Sequence, residues 1–329
     1  MLDFDKYFDK TWEYHGQKIK KFACQDSNVA NHLKETLYSF VCAMTETYPD
    51  LNQGKIYGHF IDVLSRLVAI RIDATDLKKD FFLERISGNM STSLNKPKEL
   101  CQQALRAYAS GANETVEELG MTETINHYIH NNGLCNYNMK QSSIALLDYA
   151  NMITSTDQYT QLSADRAICH EFMHAMSIWT TPQNSLGQVI KQPTINNLYE
   201  GLNEYYTQQV FEKMHPKANR SVSYLKAYKI VNSFLNTLAP EEKGALFEDY
   251  VTGNGAKYLE KLDCFKSPKG YGIIECINKN CSTTIEGNTP EQELSYKKLM
   301  FASTKFVKTK EFASNVSTQN KQTETELEV

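Results

Sequence analysis

The chain lacks the features that mark out several whole classes of protein. It has no basic excess: 35 Lys and Arg stand against 39 Asp and Glu, a formal net charge of −4. That balance gives no electrostatic case for nucleic acid or for an anionic membrane surface. Short basic clusters, Lys18-Ile19-Lys20-Lys21 and Lys78-Lys79, are flanked by acids and read as solvated surface. No stretch approaches the ~18 apolar residues of a membrane helix. The longest apolar neighbourhood, Val63 to Ile72, is broken by Arg66 and Arg71, so no membrane insertion is expected. Met1-Leu2-Asp3-Phe4-Asp5-Lys6-Tyr7 carries acids early and no apolar run, so no secretory signal peptide is expected either. The expectation is a soluble, cytoplasmic protein, with export lacking a cleavable signal as the alternative. The cysteines (Cys24, Cys42, Cys101, Cys135, Cys169, Cys264, Cys276 and Cys281) form no CxxC pair. Thiols are therefore the expected state.

What is present is a chain of 329 residues, 41% of them hydrophobic, enough for one large or two modest domains. Residues 1–127 read as mostly helical. A helix is expected from Asn28 through Met44, another from Tyr57 to Ile72, a third from Lys98 to Ala109 after Pro97, and a fourth from Thr115 to Ile129. Gly133 to Tyr137 and Ser143 to Asp148 read as strand, turn, strand. Amphipathic patterns follow over Leu198 to Met214, Val222 to Leu238 and Pro240 to Tyr250, with Gly253-Asn254-Gly255 expected to close the last. From Lys308 to Val329 the chain is polar and poor in large apolar groups, so a disordered tail is expected.

The chemistry concentrates in His170-Glu171-Phe172-Met173-His174. Two imidazoles four residues apart lie one turn apart on one helix face, so both can reach a single ion. Ser163 is the expected N-cap, and Thr180-Thr181-Pro182 the stop. Between them Ala167, Ile168, Cys169, Phe172, Met173, Ala175, Met176, Ile178 and Trp179 occupy almost every face, the mark of a buried helix. Burying two histidines and a carboxylate is costly unless each has a partner. A bound cation answers that cost for all three. The competing arrangement is two core histidines satisfied by backbone carbonyls, with Glu171 held by Arg166. A third ligand is sought downstream, where Glu200 and Glu204 share one face of the expected 198–214 helix. Spacing alone leaves either carboxylate open.

This pair of segments resembles the gluzincin peptidases, the thermolysin-like and lethal-factor-like group, in which HExxH is followed by a helix carrying a ligand Glu. The resemblance covers about residues 130 to 260 and implies that His170, His174 and Glu200 hold one Zn²⁺ per chain. It implies that Glu204 hydrogen-bonds a ligating imidazole and that Glu171 activates the attacking water. Two imidazoles and one carboxylate suit zinc better than magnesium or calcium. His215, Tyr224 and Tyr228 become candidates for the oxyanion donor. The implied fold is α+β but mostly α: a zincin-like metallopeptidase domain over 128–307, with a short sheet beside the HExxH helix, a helical N-terminal lobe over 1–127, and the tail 308–329. In such folds an edge strand upstream of the metal helix pairs with extended substrate. The implied activity is zinc-dependent hydrolysis of a peptide or protein substrate, with no nucleic-acid partner. An inactive zincin-shaped binding module and a bacterial effector or toxin peptidase acting on host protein are the alternatives. The metzincin pattern is not met, because no Gly-x-x-His follows His174. The deformylase pattern is not met either, because Cys135 stands in Gly-Leu-Cys order.

Overall fold

The computed structural model describes residues 4–23, 27–67, 69–72, 87–88, 90–91, 94–110, 112–125, 135–138, 143–146, 149–177, 196–216, 218, 225–252, 255–273, 294, 297–298 and 305–309. Most of these are helical. In chain order the helices are α1 (Phe4–Ala23), α2 (Ser27–Thr47), α3 (Gln53–Arg66), α4 (Lys98–Ala109), α5 (Asn113–Glu118), α6 (Tyr149–Ile153), α7 (Gln158–Met176), α8 (Asn196–Met214), α9 (Leu225–Leu235), α10 (Pro240–Val251) and α11 (Gly255–Asp263). None is long and apolar enough to cross a membrane.

A three-stranded sheet runs β1 (Ala69–Ile72), β3 (Ser143–Leu146), β2 (Cys135–Asn138). The central strand β3 is parallel to β1, with Ile70 opposite Ile144, and antiparallel to β2, with Tyr137 opposite Ile144. Among the described residues strand β2 is an edge, and it packs against α7. A two-residue ladder, β4 (Phe265–Lys266) with β5 (Val307–Lys308), stands apart.

Several boundaries differ from the sequence expectation, each for a local reason. The helix expected to run to Ile72 ends at Arg66, and residues 69–72 form β1. Asn52 opens that helix by accepting from Lys55 N at 3.0 Å. Ile70 and Ile72 are β-branched and find a partner strand in β3, and a short apolar run leaves helix and strand undecided until then. The helix expected over 115–129 breaks at Gly120, whose φ is +62°. Gly120 N donates to Glu117 O and Met121 N to Val116 O, which is the Schellman end of α5. Helix α7 starts at Gln158, ahead of the expected Ser163 cap, because Asp157 accepts from the amides of Tyr159 and Thr160. The expected stop at Thr180 to Pro182 lies outside the described residues. Gly255 opens α11, where a terminating turn was expected. Lys308, expected in the tail, belongs to β5, and Thr309 N donates to Cys264 O at 2.7 Å. Residues 310–329 lie outside the described set.

One apolar core joins α1–α3 to α7–α11 through Phe8, Leu37, Phe40, Phe60, Phe172, Tyr206 and Phe247. The Phe60 and Phe172 rings, 5.0 Å apart, tie α3 directly to α7. Such aromatic contacts carry much of a core's burial energy. A second, smaller cluster gathers Met90, Cys101, Ala104, Leu105, Val116, Met121 and Ile125. The first 127 residues, expected to form a helical lobe, thus contribute to both cores.

Candidate metal centre

Helices α7 and α8 lie side by side and antiparallel. Moving one turn along each in opposite directions brings His174 to Glu200, His170 to Glu204, and Arg166 to Gln208. The four-residue spacing within each helix therefore becomes a ladder of polar pairs across the joint. Close approach of α9 to α8 depends on Gly201. A Cβ built there would lie 2.9 Å from the Ala227 carbonyl carbon and Cβ, so α9 crosses α8 where α8 has no side chain.

At the first rung three donor atoms converge. His170 Nε2 and His174 Nε2 are 3.1 Å apart, His174 Nε2 and Glu200 Oε2 3.2 Å, and His170 Nε2 and Glu200 Oε2 3.5 Å. Donors bound ~2.0–2.1 Å from a tetrahedral ion stand about 3.3 Å from one another, so this triangle has the dimensions of one tetrahedral face. Among the described residues these three side chains are the one such grouping close enough to share an ion. The histidine side chains are 9% and 7% exposed and Glu200 is 23% exposed, so the cluster meets solvent on the carboxylate side.

The protonation states suit metal binding. Burial pushes the His170 imidazole down to about 4, against the hydrogen bond with Glu200, so it is neutral at physiological pH. Burial works to raise the Glu200 carboxyl, but His174 and His170 outweigh it and hold the group below the usual carboxylate range. A neutral His170 imidazole, the His174 imidazole beside it and an ionised Glu200 carboxylate form a donor set for a borderline divalent cation. Glu171 is buried on α7 next to His170.

Behind the triangle stand Glu204 and Arg166, both named in the sequence reading, together with residues that spacing did not single out. Glu204, with no exposed surface, has Oε2 3.0 Å from His170 Nδ1, while its Oε1 is ion-paired with Arg166. Arg166 thus faces Glu204, whereas the competing sequence arrangement had it holding Glu171. Burial lowers the guanidinium to about 10, which still leaves it charged at neutral pH. Asn203, also fully buried, donates from Nδ2 to His170 O at 2.9 Å and accepts from the Tyr250 hydroxyl at 3.1 Å. On the other side, the Tyr199 ring packs 4.5 Å from the His174 ring, with its hydroxyl 3.1 Å from Ser177 Oγ. Ser177 Oγ in turn donates to His174 O at 2.9 Å. Their only sequence signal was adjacency: Tyr199 and Asn203 flank Glu200 and Glu204, and Ser177 follows His174 by three.

The oxyanion candidates fare differently. His215 follows the last turn of α8, 15 residues past Glu200, or about 22 Å along the axis, and its ring packs on Phe211. It is not brought to the cluster. Tyr228 is half-buried on α9, 6.4 Å from the Tyr205 ring. Tyr224 lies outside the described residues. No protein-family model, curated protein or solved structure matches the chain.

Proposed function

We propose that this protein is a zinc-dependent peptidase. The observation that carries the reading is the near-equilateral triangle of His170, His174 and Glu200 donors, sized for a four-coordinate ion and open on one side. In this reading the two imidazoles and Glu200 hold the ion, and Glu204 orients His170 from behind. A zinc ion there supplies Lewis acidity for the scissile carbonyl and lowers the pKa of water into the neutral range. Glu171, on the same helix, takes the proton of the attacking water and delivers it to the leaving amine. The antiparallel α7–α8 joint fixes ligands from both helices before substrate arrives, and the buried walls around the imidazoles exclude bulk water. Strand β2, an edge among the described residues and packed on α7, is the strand where an extended peptide would add.

The test pairs metal analysis with cleavage profiling. Wild type is expected to carry about one zinc per chain and to cleave members of a broad peptide library. Glu171→Gln should keep the zinc and lose cleavage by a factor of about 100 or more. Full zinc content without any cleavage by wild type would instead make the chain a binding module.

A further inference from the structure

We propose that Arg166 is a positioning residue for the metal centre, acting on His170 through Glu204. The inference rests on the metal-binding reading above and extends it to a residue one helical turn before the first ligand.

Glu204 is wholly buried and engaged at both oxygens: Oε1 by Arg166 Nη2, Oε2 by His170 Nδ1 at 3.0 Å. Arg166 is fixed in its turn, since its Nε donates to Gln208 Oε1 at 3.3 Å and Gln208 Nε2 donates to Glu212 Oε1 at 3.1 Å. The row Glu212, Gln208, Arg166, Glu204, His170 therefore runs down the α7–α8 joint and ends at the donor triangle. A guanidinium is planar, so gripping one carboxylate oxygen sets the plane and reach of the other. That oxygen lies 3.0 Å from His170 Nδ1; with the ring proton on Nδ1, the Nε2 lone pair is free to serve an ion together with His174 Nε2 and Glu200 Oε2. In a low-dielectric joint these charges interact strongly, so the placement of Glu204 depends on the cation opposite it. An arginine that merely neutralised Glu204 would contribute to folding and leave metal affinity alone. The two roles separate by experiment.

Zn²⁺ affinity of the full chain is measured by competition with a chromogenic chelator, with thermal melting followed in parallel and the absorption spectrum of the Co²⁺-loaded protein recorded. Arg166→Met is expected to weaken zinc binding roughly 10- to 100-fold, the range for partners behind a ligating histidine. Glu204→Gln should weaken it by a similar factor. The double variant Arg166→Met/Glu204→Gln, which removes both buried charges together, should bind zinc no worse than Glu204→Gln alone, because both residues act along one path. Arg166→Lys keeps the charge and loses the fork, so it should recover part of the affinity and show a Co²⁺ spectrum closer to wild type. If Arg166→Met does not fold, the same cycle run with Arg166→Lys decides: a several-fold loss is expected with Glu204 in place, and none in the Glu204→Gln background. Zinc affinity unchanged by either Arg166 substitution, or a loss that adds in full to that of Glu204→Gln, overturns the proposal. A wild-type chain that takes up no zinc sinks the metal-centre reading and this inference with it; unchanged affinity in the variants of a zinc-binding wild type sinks the inference alone.

Discussion

Behind His170 stand a buried carboxylate and a buried guanidinium; beside His174 stand a tyrosine ring and a serine hydroxyl. Both flanks belong to the same two helices, yet they hold their imidazoles by different physics. On the first, charges face one another in a low dielectric, where directional preference is strong and the loss of one partner strands the other. On the second, ring packing and neutral hydrogen bonds each contribute little and fail gently. Each flank has one fully buried member, Glu204 on the first and Ser177 on the second, and one partly buried member, Arg166 and Tyr199.

The comparison is broken most severely by Glu204→Ala. Removing that carboxylate leaves the Arg166 guanidinium buried without its partner and should cost about 3–5 kcal/mol of stability, read by urea denaturation. Gly201→Ala serves as a common-mode test. Its new Cβ meets the Ala227 backbone at 2.9 Å, so α8 and α9 must separate and shift Glu200, Glu204 and Tyr199 together. The expected loss is about 1–3 kcal/mol, with zinc affinity falling alongside it. Tyr199→Phe keeps the ring on His174 and deletes the hydroxyl's contact to Ser177, so about 0.5–1.5 kcal/mol should be lost. Zinc affinity in that variant should stay near wild type; a drop as large as that of Glu204→Ala would erase the distinction between the flanks.

The smallest effect concerns a histidine of α2 that reaches across to α7. His32 Nε2 sits 2.7 Å from Asp165 Oδ1, and that hydrogen bond, opposed by partial burial, raises His32 above its ordinary value of 6.5. A raised folded-state value means the pair's contribution is fully present below about pH 6.5 and fades as pH climbs through the folded value. The stability difference between wild type and His32→Gln should therefore shrink from mildly acidic to mildly alkaline buffer, measured by urea unfolding across that range. A difference that grows with pH would reverse the sign and refute the pairing.

Much of the site was legible along the chain. The i, i+4 spacing of His170 and His174 and of Glu200 and Glu204 places each pair on one helix face whatever surrounds them, because helical geometry is local. The two strands at 135–138 and 143–146 were legible as two runs separated by a short polar turn, also a local signal, although periodicity alone leaves Ile144 to Leu147 undecided. Strand β1 was not, since its identity depends on β3, more than seventy residues away. The Asp157 cap was missed because several polar residues in that stretch are plausible caps and only the backbone geometry selects one.

Sequence alone determined which side chains could act together within each helix, and hence that two imidazoles and a carboxylate pair were available. Only the tertiary structure decided that Glu200 meets both Nε2 atoms while Glu204 turns to Nδ1, and that Arg166 and Tyr199 brace opposite sides. The reason is physical: helix periodicity is set by bonds within four residues, whereas the antiparallel register of α7 on α8 is set by how closely they and α9 pack at Gly201 and across the shared apolar core.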